Sequence, residues 1–161
     1  MKSKFLFLII ALFSLCACSS TNETRSYDEY QNNHLLSLDE FFKVDLNHYF
    51  VEIYRFDCSY CENVKTSVFN YLDRQNNGEN LTPLFLFNMD EGGQSANRNR
   101  FKSKPEHASN DSLIREMETN KPNTLSETYF LGTPIIYEIV DEKVDQVYLG
   151  ANEVNGLLNS L

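Results

Sequence analysis

Residues 49–56, YFVEIYRF, are an almost unbroken run of aromatic and β-branched side chains, and they stop one residue short of Cys58-Ser59-Tyr60-Cys61. A run that is apolar at nearly every position, rather than at every second one, fits a strand covered on both faces. Beyond the cysteines, Val64, Val68, Phe69 and Leu72 recur at helical spacing as far as Asn76-Asn77-Gly78. The cysteine pair therefore sits at a strand-to-helix junction, inside a fold whose sheet is layered on both sides.

The remaining apolar runs extend that layout. Leu35, Leu36, Leu38, Phe41 and Phe42, with Ser37 as a cap, predict a short helix that ends before Asn47. Leu84-Phe85-Leu86-Phe87 reads as a second buried strand. Ile135 to Val140, a turn at Asp141-Glu142 and Lys143 to Leu149 read as a hairpin, and after Gly150 the residues Val154, Leu157, Leu158 and Leu161 share one helical face. Helices alternating with buried strands imply an α/β sandwich around a central sheet. Residues 91–124 are the least regular stretch, too long for a simple connection, with Asn110 or Asp111 able to cap a short helix through Leu113, Ile114 and Met117. Within this insertion Arg98, Arg100, Lys102 and Lys104 read as a solvated basic loop, with a docking patch for an acidic partner or a lipid headgroup as the other possibility.

The N-terminus is organised for export. Lys2 and Lys4 precede an apolar run from Phe5 to Leu15, about half of the roughly twenty residues a membrane-spanning helix needs. Leu15-Cys16-Ala17-Cys18 resembles the bacterial lipobox, which makes 1–17 a lipoprotein signal peptide and Cys18 the lipidated residue; a cysteine at position 16 is unusual there and leaves a plain secretory signal open. More than one acyl chain gives stable membrane attachment, at about 0.8 kcal/mol per buried methylene. Residues 18–34 are polar up to His34 and read as a flexible tether, leaving 35–161 as a single water-soluble domain exported from the cytoplasm. Losing 1–17 removes two lysines and no acid, so the formal charge moves from −9 to −11. Nucleic acid is a poor partner for so acidic a chain.

Four cysteines occur, at 16, 18, 58 and 61. With one removed in the signal and one lipidated, only the C-x-x-C pair is left, and it closes too short a loop to serve as a structural framework. Its chemistry is exchange: a thiol reacts as the thiolate, which unpaired N–H groups at a helix start favour. Cys58 is the candidate attacking thiolate and Cys61, one turn later, the candidate resolving thiol. A zinc reading lacks a second thiolate pair, since His34, His48 and His107 are scattered, and haem attachment would require histidine where Glu62 stands.

Together, the strand entering Cys58-Ser59-Tyr60-Cys61, the Gly132-Thr133-Pro134 segment before the hairpin, and Gly150-Ala151 before the last helix resemble the thioredoxin-like superfamily over roughly residues 36–161. The resemblance implies a central mixed sheet flanked by helices, here with a shortened N-terminal part and an insertion before the proline. It implies a cis Pro134 beside the cysteines, with the Thr133 backbone and Tyr60 meeting a bound polypeptide. It also implies that Glu52, six residues before Cys58, is the buried acid that shuttles a proton for the resolving cysteine. The alternative for Glu52 is a carboxylate that reaches solvent or pairs with Arg55.

The family's tryptophan before the first cysteine is replaced by Asp57, and Ser59-Tyr60 stand between the cysteines; Tyr60 and Thr133 look closer to exported Dsb-type proteins. The resemblance implies a protein thiol-disulfide oxidoreductase that needs no cofactor, acts on protein thiols and disulfides, and exchanges electrons with a membrane-bound protein partner. Oxidase, isomerase and reductase directions stay open, with a small preference for reduction. The competing expectation is a surface lipoprotein that uses such a scaffold for binding, with Cys58 and Cys61 chemically passive.

Overall fold

The computed structural model describes residues 25–161. The expected signal peptide 1–17, the expected lipidation position Cys18 and the first part of the 18–34 segment lie outside the described residues.

Four strands form one mixed sheet in the order β2-β1-β3-β4. Strand β1 (His48–Tyr54) is central and, after His48, buried at every residue, as its unbroken apolarity requires. It pairs in parallel with β2 (Leu84–Asn88), with Glu52 opposite Leu86, and antiparallel with β3 (Ile135–Val140), with Glu52 opposite Ile136. Strand β4 (Lys143–Leu149) completes a hairpin with β3. Asp141 and Glu142 both adopt positive φ, the geometry a two-residue hairpin loop needs to match strand twist. On the far edge of β2, the Leu35 N–H donates to the Leu86 carbonyl at 2.9 Å and His34 forms a single parallel bridge to Leu86. One residue pair thus stands where a fifth strand would run.

The alternation of β1 sorts two cores. Tyr49, Val51 and Ile53 face a cluster containing Phe41, Phe101, Leu113, Met117 and Tyr137, whereas Phe50 and Tyr54 face a cluster containing Cys61, Val68, Leu72, Val154 and Leu158. The second side is roofed by α1 (Ser59–Glu62), α2 (Lys65–Asn76) and α5 (Ala151–Ser160). The chain after β1 therefore crosses over the sheet through α1 and α2 before returning as β2. The break between these two helices falls at Asn63-Val64, where Val64 bonds back three residues to Cys61 rather than four.

Three sequence expectations need correction. The tether reading fails for the described part of 18–34: Tyr27–Asn33 is a 3₁₀ helix with Tyr27, Tyr30 and Asn33 buried. Ser26 opens it with a capping box in which the Glu29 carboxylate accepts from the Ser26 N–H at 2.7 Å. The helix after Ser37 is a single 3₁₀ turn, Leu38–Glu40. Residues 91–124 carry the expected helix through Leu113 and Met117, α4 (Asn110–Asn120), packed on β4, and are more regular than expected in also forming α3 (Gln94–Arg98). The cap of α4 is Ser109, whose hydroxyl accepts from the Ser112 N–H; the Asn110 side chain is taken by Lys104 Nζ at 2.7 Å.

Candidate functional site

Cys58 closes the loop after β1 and caps α1, so its sulfur meets the N–H end of the first helical turn. The Cys61 N–H donates to Cys58 Sγ at 3.2 Å. The Thr133 hydroxyl approaches the same sulfur at 3.4 Å, and the Thr133 carbonyl lies 3.5 Å from it, placed to accept from the thiol. These groups serve both forms of the sulfur: the carbonyl accepts from the thiol, and the two donors accommodate the anion. Both cysteines are free thiols; Cys58 is partly exposed and Cys61 is fully buried. Burial, together with the adjoining Cys58 sulfur, pushes the Cys61 thiol up to about 12.

Thr133 is delivered by a segment that arrives from the other end of the domain. Gly132 has φ +132°, a region that side chains disfavour, and the following Thr133-Pro134 peptide is cis. The Pro134 carbonyl then accepts from the Gly150 N–H at 2.9 Å, tying the segment to the start of α5. Cysteines and proline loop, 75 positions apart in sequence, are in this way brought into contact.

Glu52 lies on the Cys61 side of β1, by alternation between Phe50 and Tyr54. Its exposure is 0%, which removes the solvent-reaching alternative. Arg55 is engaged elsewhere, with Asp57 at 2.7 Å and Asp90 at 3.2 Å. The same ion pair offsets the charge of Asp57 beside Cys58. The partner of Glu52 is Tyr27, whose hydroxyl donates to Oε1 at 3.2 Å, while Oε2 has no protein partner. Burial raises the Glu52 carboxyl to about 8, and the Tyr27 hydrogen bond pulls part of the way back. A carboxyl titrating there exists in both forms near neutrality, as a group that gives and takes a proton must.

Tyr60 is 64% exposed and Phe56 54%, and they stand in the loop and first helical turn that carry Cys58. Tyr54 is core, stacked on Tyr27 with ring centroids 3.7 Å apart. Of the basic stretch, Arg100 pairs with Asp39, Lys102 with Glu116 and Lys104 with Asn110, while Arg98 lies over the Phe130 ring. Those cations fasten the insertion to itself and to the domain. Among the described residues no three His, Cys, Asp or Glu side chains are grouped to hold a metal ion.

Tyr27 is the site residue that sequence reasoning missed. Two signals were present in a segment otherwise without aliphatic side chains: the Ser26-x-x-Glu29 capping box, and tyrosines at 27 and 30 one turn apart. The chain matches no protein-family model and no curated protein sequence.

Proposed function

We propose that this chain is a thioredoxin-like thiol-disulfide oxidoreductase, exported and held to a membrane by lipid on Cys18, that exchanges disulfides with protein substrates. The observation that carries the proposal is the contact of Thr133, in a cis Thr133-Pro134 peptide, with a helix-capping Cys58 sulfur whose partner Cys61 is buried on the same side of the sheet as Glu52. A passive disulfide has no need of a partly exposed first sulfur, a deeply buried second one, and a buried carboxyl on the same side of the sheet.

In the reducing direction the Cys58 thiolate attacks one sulfur of a substrate disulfide. The substrate S–S bond breaks, a mixed disulfide forms at Cys58, and the departing substrate thiolate takes up a proton. The Cys61 thiol then gives its proton to Glu52 and attacks Cys58 Sγ. The bond to the substrate breaks, leaving a Cys58–Cys61 disulfide and a fully reduced substrate, with two electrons and two protons transferred. Oxidation of a substrate is the same path reversed, with protonated Glu52 supplying the leaving Cys61 sulfur. Tyr60, Phe56 and the Thr133 backbone form the surface a substrate polypeptide would meet. Continuous turnover calls for a protein electron partner, which for an anchored domain is most simply another membrane protein.

The deciding experiment is the reduction potential of the protein in glutathione or dithiothreitol buffers, with Cys58→Ser and Cys61→Ser as controls. A potential near about −250 mV or lower is expected, identifying a reductase; one between about −180 and −120 mV assigns disulfide donation or isomerisation instead. Absence of exchange with small disulfides, unchanged in Cys58→Ser, would overturn the catalytic reading in favour of a binding scaffold.

A further inference from the structure

Resting on the thiol-exchange reading, we infer that Tyr27 is a positioning residue, its hydroxyl committing Oε1 of Glu52 so that Oε2 is left to exchange a proton with Cys61. The geometry begins with burial: Tyr27 is 1% exposed and Glu52 is sealed, so no bulk water competes for the hydroxyl. The Tyr27 O–H donates to Oε1 at 3.2 Å and Oε2 has no protein partner, so the carboxyl has one occupied and one vacant oxygen. Tyr27 itself is fixed on three sides, stacked flat on Tyr54, edge-on to Phe69, and with Lys65 Nζ 5.7 Å from its ring centre.

The surroundings leave Tyr27 as the polar group that meets the Glu52 carboxyl. Its register neighbours on β2 and β3 are Leu86 and Ile136, and α5 contributes Val154 and Leu158 to this core. From α1 and its cap the titratable groups on this side are Cys58 and Cys61, Tyr60 being exposed. From α2 comes Lys65, already paired with Glu62 at 2.6 Å, and from β1 Tyr54, whose hydroxyl contacts His34 Nε2 at 2.9 Å. Tyr27 is close enough to Cys61 to sense its charge, and burial above all pushes the Tyr27 hydroxyl far above its ordinary range. Tyr27 therefore remains a donor throughout the cycle and never carries the transferred proton. During resolution the Cys61 proton goes to Glu52 Oε2, directly or through water, while the Sγ61–Sγ58 bond forms and the substrate–Sγ58 bond breaks. Glu52 afterwards releases that proton to solvent.

The test uses the full chain with Cys16 and Cys18 as serine, so that only Cys58 and Cys61 report, reacted with an aromatic disulfide whose thiolate is coloured. The first release of colour reports attack by Cys58 and the second reports resolution by Cys61. Followed between about pH 6 and 9, the second phase should accelerate with a midpoint set by Glu52. Tyr27→Phe removes a donor to the carboxylate, so the midpoint should rise by about 0.5 to 1 pH unit while the first phase is unchanged. Placing 3-fluorotyrosine at position 27, a stronger donor of almost the same shape, should move the midpoint down, and it decides the matter if Tyr27→Phe does not fold. A midpoint that neither change moves, while Glu52→Gln abolishes it, overturns the role of Tyr27 alone. A second phase that Glu52→Gln leaves untouched overturns the proton-shuttle reading of Glu52 and this inference with it.

Discussion

At position 52 a carboxyl side chain occupies a central strand where every neighbour along the strand is apolar or aromatic, and its stability cost depends on pH. Its folded value lies near 8, above an ordinary glutamate, so the native state holds a proton that the unfolded chain has already released. Stability from this group is therefore complete below about pH 4.5 and is lost progressively as pH rises through 8. Comparing wild type with Glu52→Gln by urea unfolding, the difference should shift in the variant's favour by on the order of 3 kcal/mol between about pH 5 and 9. A difference that stays constant with pH would mean that the carboxyl is not titrating inside the fold. Glu52 was a candidate only through the family resemblance, which implies a buried acid six residues before the first cysteine. The resemblance could not identify the partner, because Arg55 is three residues away and Tyr27 twenty-five, and nothing in a linear pattern favours the distant one.

Among the elements, the 3₁₀ helix Tyr27–Asn33 has the greatest influence for its size. It is latched to α2 by Arg25 to Asp73 at 2.6 Å, by the Tyr30 hydroxyl to Asp73 at 2.8 Å, and by reciprocal amide bonds between Asn33 and Asn76. Asp73→Ala removes two of these latches, so a loss of about 1 to 2 kcal/mol is expected. Amide hydrogen exchange should show it as lost protection concentrated in residues 26–34, and uniform loss across the domain would contradict a local latch. The strand, hairpin and last helix were legible because each carries a periodic apolar pattern long enough to settle its type. The latched segment was not, because its burial is aromatic and hydrogen-bonded rather than aliphatic. Within the insertion α4 was legible from Leu113, Ile114 and Met117, whereas α3 was not, because it buries no residue and so carries no apolar pattern.

At the scale of the whole molecule, a four-stranded mixed sheet with helices on its faces sets the stretch that carries residues 52, 58 and 61 on the same side as the distant segment that carries residue 133. The lipid anchor is tested by fatty-acid labelling in cells. Cys18→Ala should abolish incorporation and move the protein to the soluble fraction; label that persists there and is lost in Cys16→Ala transfers the anchor to Cys16. With lipid on Cys18, the latching of Arg25 to α2 sets a working height. Only seven residues separate the two positions, a leash of about 25 Å at full stretch. It is fastened to the domain at Asp73 in α2, and the cysteines lie beyond the N-terminal end of that helix, at the start of and within α1, on the order of 15 to 20 Å further along. If the proposed anchoring and thiol exchange hold, the dithiol would reach only a shell within roughly 40 Å of the bilayer, and its clients would be polypeptides embedded in that membrane, emerging from it, or resting against it.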